Sequence, residues 1–258
     1  MSAIFNEQTE RWLRRYRPVD RPRLRLVCFA HAGGGPSAFR TWPAGLPEDI
    51  EVLGVRYPGR QERVMDECVD RMDTLADYVA DALDPLLDLP MVMFGHSMGA
   101  WVAYDVALRL LRRRRFSLDL LIVSGQVAPD SKDPARAFED DDALVAEIQR
   151  VGGYDPQLFE DPEMRDLVLP AIRADFALVH TYRPAPGAPL DCPILACFGD
   201  QDVDSRPEGM RAWADTTTGT YTQRAFPGGH FYLADQEPDL LRALSERVNS
   251  TAAFHAVP

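Results

Sequence analysis

The stretch Met91-Val92-Met93-Phe94-Gly95-His96-Ser97-Met98-Gly99-Ala100-Trp101-Val102 decides how this chain reads. Residues 91–94 are apolar and suit a short strand buried on both faces. From Met98 onward, Trp101, Val102, Tyr104 and Leu108 fit one side of a helix. Between the two lies Gly95-x-Ser97-x-Gly99. In a strand–turn–helix setting this pattern forms a sharp turn that holds the serine in a strained backbone and projects its hydroxyl above the sheet. The glycines let strand and helix approach closely, and the helix N-terminus behind Ser97 favours the negative charge of acyl transfer. The motif alone arises by chance in many chains, and a tight glycine turn in a catalytically dead protein is its plain alternative. The strand before it and the helix after it make Ser97 the expected nucleophile.

Working outward, short apolar runs alternate with helical patterns, which predicts a parallel sheet with crossover helices. Strands are expected at 24–29, 51–56, 91–94, 118–124, 194–198 and 221–226. A helix is expected over 73–87, with Leu75, Tyr78, Val79, Ala82 and Leu83 on one stripe and Pro85 as a kink near its end. Another runs from Ser97 to the arginines at 112–115, and a last one spans 238–248. The alternation breaks over 126–189. There two helical patterns, at 142–151 and 161–182, follow one another without a strand, and Pro170 is expected to divide the second. An insertion after a strand's C-terminal end stands where ligands bind in open α/β sheets, so it is read as a helical lid. An extra helical layer that only stabilises the core is the alternative.

A serine nucleophile needs a base, and the base an orienting carboxylate, in the chain order Ser, Asp or Glu, His. Within Phe226-Pro227-Gly228-Gly229-His230, His230 follows a strand, whereas His180 falls on a helix of the insertion and His255 in the tail. Gly199-Asp200-Gln201-Asp202 offers two carboxylates after the strand at 194–198. Asp202 lies further out on the loop and is favoured; Asp200 reads as a turn former. The oxyanion needs two backbone N–H groups: that of Met98, after the nucleophile, and one from His31-Ala32-Gly33-Gly34-Gly35, for which Ala32 is the candidate. No Lys-Ser/Thr follows these glycines, so they are not a phosphate-binding loop. Tyr57-Pro58-Gly59-Arg60 reads as a turn that could also line the mouth of the site.

Composition narrows the classes. A 258-residue chain can bury a large core without staples, and one α/β domain often reaches this size. The net charge of −12 opposes nucleic acid and anionic lipid as partners. No uncharged run is long enough for a membrane span, and residues 1–18 are polar with no signal-peptide h-region. Cys28, Cys68, Cys192 and Cys197 form no C-x-x-C pair and read as small buried hydrophobes of a reducing cytosol. A cytoplasmic monomer without metal or organic cofactor is expected.

Five segments taken together are similar to the type II thioesterases, stand-alone α/β-hydrolases that accompany modular polyketide synthases and nonribosomal peptide synthetases. They are Phe29-Ala30-His31-Ala32-Gly33-Gly34, Tyr57-Pro58-Gly59-Arg60, Gly95-His96-Ser97-Met98-Gly99, Gly199-Asp200-Gln201-Asp202 and Pro227-Gly228-Gly229-His230-Phe231. The resemblance runs from Trp12 to the final helix and implies one α/β-hydrolase domain over 1–258 with a mobile lid at 126–189. It places the carboxylate at Asp202 and the oxyanion amides at Ala32 and Met98. It implies a substrate, too: an acyl group, often short or aberrant, on the phosphopantetheine arm of an acyl or peptidyl carrier protein, removed in an editing step of antibiotic-type biosynthesis. Carrier proteins are usually acidic, so docking would need a local basic face; Arg11, Arg14, Arg15, Arg17 and the arginines at 112–115 are the candidates. A general serine carboxylesterase or lipase, or a thioesterase that releases fatty acyl chains, would share the triad and the oxyanion hole. A non-catalytic scaffold on the same fold is the remaining alternative.

Overall fold

The computed structural model describes residues 5–113, 118–131, 138 and 140–255; Arg114, Arg115 and part of the insertion lie outside it. Among the described residues seven strands form one sheet: β1 (Leu13–Arg15), β2 (Leu24–Phe29), β3 (Ile50–Val55), β4 (Met91–His96), β5 (Leu118–Ser124), β6 (Ile194–Gly199) and β7 (Tyr221–Phe226). Their order is β1-β3-β2-β4-β5-β6-β7. Only β1 runs antiparallel, pairing Leu13 with Val55 and Arg15 with Leu53. Every residue of β2 to β6 is buried. Two-sided burial is why these strands read as continuous apolar runs.

The helices Met72–Leu83 and Met98–Arg113 pack beside one another, and Glu237–His255 closes the chain. The first ends at Leu83, where Pro85 cannot continue the hydrogen bonding, and a single 3₁₀ turn over Asp84–Leu86 follows. The final helix extends well beyond the expected 248. A buried ion pair ties the start of the sheet together. Arg25 on β2 faces Glu51 on β3 in register, 3.1 Å from its carboxylate, and also donates to Asp88 and to the Leu86 carbonyl.

Between β5 and β6 the chain forms the helices Asp141–Val151 and Pro162–Thr181, with a short turn of helix, Gln157–Glu160, between them. Pro170 does not divide the second helix, contrary to expectation. It lies on the exposed face while Leu169, Ala171 and Ile172 beside it are buried. Water can therefore satisfy the carbonyl whose N–H partner proline lacks, and the packed face carries the helix through. The insertion has an apolar cluster of its own, built on Leu144, Ile148, Phe159, Leu169 and Ile172. Its last turn is different: Leu178 and Tyr182 belong to the main core.

The connections create a switch point. β3 and β4 lie on opposite sides of β2, so the loops leaving β2 and β4 diverge from neighbouring positions at the carboxyl edge of the sheet. That crevice is where an open α/β sheet binds its ligands.

Candidate active site

Ser97 sits directly after β4 with φ of 54°, a left-handed conformation that costs a non-glycine residue about 1–2 kcal/mol. Its N–H donates to the Ser124 carbonyl at 2.7 Å, pinning the turn to β5. The turn is too crowded for side chains. A Cβ on Gly95 would lie 2.2 Å from the Gly99 carbonyl oxygen, and one on Gly99 would lie 2.1 Å from that of Phe29. The second approach sets the end of β2, and hence the His31–Gly35 loop, against the N-terminus of the helix behind Ser97. Among the described residues no protein acceptor takes the amide of Met98 or of Ala32. Both residues line, with Ser97 and His230, a cavity of about 1680 Å³.

The loops after β6 and β7 meet in the same way. Gln201 donates its amide to the Gly228 carbonyl at 2.9 Å, and Asp200 accepts the Gly228 amide at 3.0 Å. Asp200 thus fastens the two loops together. Asp202, two residues on, is buried and accepts from His230 Nδ1 at 2.8 Å, from Ser205 Oγ at 2.7 Å and from the Asp204 amide at 3.0 Å. Burial pushes its carboxyl up, but the hydrogen bond and charge of His230, with Ser205 and the Asp204 amide, outweigh it and hold it below the usual carboxylate range. An ionised carboxylate only accepts, so His230 Nδ1 carries the proton of that bond.

Two further imidazoles lie close by: the His96 ring is 5.1 Å from that of His230 and 6.0 Å from that of His31. Burial, then the neighbouring His230, pushes His31 down to about 3, and the same two causes hold His96 well below its ordinary value. Both stay neutral at physiological pH, so neither puts a fixed cation beside His230. His96 Nδ1 lies 3.0 Å from Ser124 Oγ, which in turn meets the Tyr232 hydroxyl at 2.7 Å. His180 stacks on Phe138 at the cavity wall.

Sequence reasoning missed Tyr154 and Asp175, which with Arg60 grip the loop after β2. Asp175 of the helix Pro162–Thr181 accepts the Gly33 amide at 2.6 Å and forms a two-pronged pair with Arg60, buried on both sides. Arg60 also reaches the Gly34 carbonyl at 3.3 Å, and the Tyr154 hydroxyl donates to the Ala32 carbonyl. One signal was readable: Asp175 occupies the apolar stripe of its helix, between Ile172 and Val179, where a carboxylate requires a partner.

Four of the basic candidates for docking are engaged by the chain's own acids. Arg11 pairs with Asp66, Arg14 with Glu62 and Arg15 with Glu51; Arg17 reaches the Pro47 carbonyl at 3.4 Å, and Arg113 pairs with Asp77 and Asp81.

Comparison with known proteins gives the family. The family model described as a thioesterase domain matches residues 24–248. Thioesterase PikA5 of Streptomyces venezuelae is 38% identical over 247 residues, covering 95% of this chain and 88% of the relative. Among solved structures, the type II thioesterase BorB from the borrelidin biosynthetic cluster superposes with a TM-score of 0.84 at 37% identity, covering 92% of this chain and 97% of its own. The RedJ thioesterase of the prodiginine pathway in Streptomyces coelicolor superposes at 0.80 with 39% identity, covering 90% of each chain. A seven-stranded, mostly parallel sheet carrying a strained serine at its switch point, and likeness to these enzymes along nearly its whole length, place the chain in the thioesterase family, on the α/β-hydrolase fold.

Proposed function

We propose that the protein hydrolyses acyl thioesters carried on the phosphopantetheine arm of acyl or peptidyl carrier proteins, clearing short or aberrant groups during polyketide or nonribosomal peptide assembly. One observation supports this most: an ionised Asp202 holds His230 through Nδ1 at the rim of the cavity that Ser97 lines. In this reading His230 Nε2 removes the Ser97 proton as Oγ attacks the thioester carbonyl. The oxyanion forms against the amides of Ala32 and Met98. The C–S bond breaks, and the proton on His230 passes to the leaving thiol. A water then gives its proton to His230 and attacks the acyl-serine. The carboxylic acid leaves, and the proton returns to Ser97.

The chain is read as one α/β-hydrolase unit whose lid spans 126–189; the separate apolar cluster of the insertion supports a part that moves as a body. A cytoplasmic monomer fits four free cysteines and described helices that are too short or too polar to cross a membrane.

The test is hydrolysis of a panel of short acyl groups, each presented on a carrier protein and on free pantetheine. We expect higher kcat/KM on the carrier, with turnover abolished in a folded Ser97→Ala variant. Equal rate constants on both forms would remove carrier recognition, and preference for oxygen esters would turn the reading toward a carboxylesterase.

A further inference from the structure

We infer that Tyr154 and Asp175, both on the insertion, are positioning residues that set the oxyanion-binding amide of Ala32, so that the site is formed only while the lid is seated. The inference rests on the reading above, in which the Ala32 amide receives the oxyanion.

The argument comes from peptide planes. The carbonyl of Ala32 and the N–H of Gly33 are two ends of one rigid amide. Tyr154 donates its hydroxyl to the first end, and Asp175 accepts from the second at 2.6 Å. Two residues of the lid therefore hold a single peptide plane of the catalytic loop from both sides. The preceding plane, His31 to Ala32, is held at its carbonyl end by the Gly34 amide at 3.0 Å. Three of the four polar ends of two consecutive planes are thus committed. The fourth is the Ala32 N–H, and with its neighbours fixed it has one direction left to point.

The clamp is chemically suited to the task. Burial, and next the Asp175 charge, raise the Tyr154 phenol far above its ordinary value, so it remains a donor throughout the working range. Asp175 is 2% exposed and is aligned by both prongs of Arg60, which also reaches the Gly34 carbonyl. Arg60 comes from the sheet side of the site, after β3, and stays with it. Lifting the insertion would take Tyr154 and Asp175 away together, freeing the Ala32–Gly33 plane to turn and releasing the amide that faces the substrate. An open enzyme would then bind an acyl arm without stabilising its tetrahedral intermediate. Charge on the oxyanion develops only in the transition state, so a loss confined to that state is the signature of a displaced donor.

The experiment compares two ligands on the intact enzyme. A short alkyl boronic acid adds Ser97 Oγ to boron, passes the serine proton to His230 and forms a negatively charged tetrahedral boronate with one of its oxygens in the oxyanion site. The matching acyl-pantetheine amide binds as an uncharged ground state. Tyr154→Phe keeps the ring and removes only the hydroxyl. We expect it to weaken the boronate and lower kcat by about tenfold or more, short of the 10²–10³ lost when an oxyanion donor is removed outright. Affinity for the amide should stay within about twofold, because that ligand makes no demand on the clamp. Asp175→Asn retains an acceptor for Gly33 but loses its charge toward Arg60, and should show the same split more mildly. If boronate and amide weaken in parallel, or neither weakens, Tyr154 does not position the amide and the inference fails. If the wild-type enzyme neither binds the boronate nor turns over acyl thioesters, the proposed function fails first and takes this inference with it.

Discussion

At the scale of single residues, the two aspartates of Gly199-Asp200-Gln201-Asp202 show how position separates identical chemistry. Asp200 spends its carboxylate on the Gly228 amide and so shapes the loop that carries His230. Asp202 spends one oxygen on His230 itself and is supported by Ser205 and the Asp204 amide. Asp202→Asn replaces an obligate acceptor with a group that can donate, which disfavours the tautomer with a proton on Nδ1. By analogy with serine-protease triads, kcat should fall by about 10⁴ with little change in folding. Asp200→Asn still offers an oxygen to Gly228, and its loss should stay within about tenfold, the scale of one neutral hydrogen bond. Steady-state kinetics on one acyl-pantetheine substrate ranks the pair, and the reverse order would shift the orienting role to Asp200. Spacing along the loop favoured Asp202, since a residue further from the strand has more reach, and Asp202 is the aspartate that lies against His230. Ser205 left no such trace, because one serine in a polar loop looks like any other.

At the scale of elements, what the sequence revealed followed from burial. Strands β2 to β6 are enclosed on both faces, and that produces the apolar runs from which they were located. β1 escaped detection because Leu13-Arg14-Arg15 has no strand pattern; it exists through its pairing with β3. The insertion was legible as two helices, yet its hold on the loop after β2 was not. Tyr154 and Asp175 lie more than a hundred residues from Ala32 in the chain, and only folding makes them neighbours. A charge hidden inside the apolar runs tests the same logic energetically. Arg25 and Glu51 have side chains only 4% and 2% exposed, so each depends on the other for compensation. Arg25→Met would leave Glu51 buried with only Arg15, 3.5 Å away. Removing one member of a buried pair costs about 3–5 kcal/mol, so the melting temperature should drop by roughly 6–20 °C. Arg71→Met, which breaks the solvent-exposed pair with Asp73, should change stability by less than about 1 kcal/mol. Thermal unfolding of both variants beside the parent gives the comparison; equal shifts would mean that burial does not govern these pairs.

At the scale of the whole molecule, charge is the property that bears on function. The chain carries a net −12, and four of the arginines expected to form a basic docking face, Arg11, Arg14, Arg15 and Arg113, are bound to its own carboxylates. A basic residue held in an ion pair contributes little net potential at a distance, so an approaching acidic carrier meets a repulsive field. That field reaches about 10 Å at 0.1 M salt and about 3 Å at 1 M. Recognition of the carrier would then come from short-range contacts near the cavity mouth and from the arm that enters it, with electrostatics acting against encounter. The consequence has a sign. Raising ionic strength from about 0.05 to 0.5 M should leave kcat/KM for acyl-carrier protein unchanged or raise it, while free acyl-pantetheine, which is small and far less charged, should be nearly indifferent. Complexes steered by opposite charges behave in the reverse way, losing association rate steeply as salt rises. A steep fall on the carrier substrate alone would therefore reveal a basic face that the paired arginines do not supply. A flat or rising profile would fit an editing enzyme that visits many carriers briefly and is held by none.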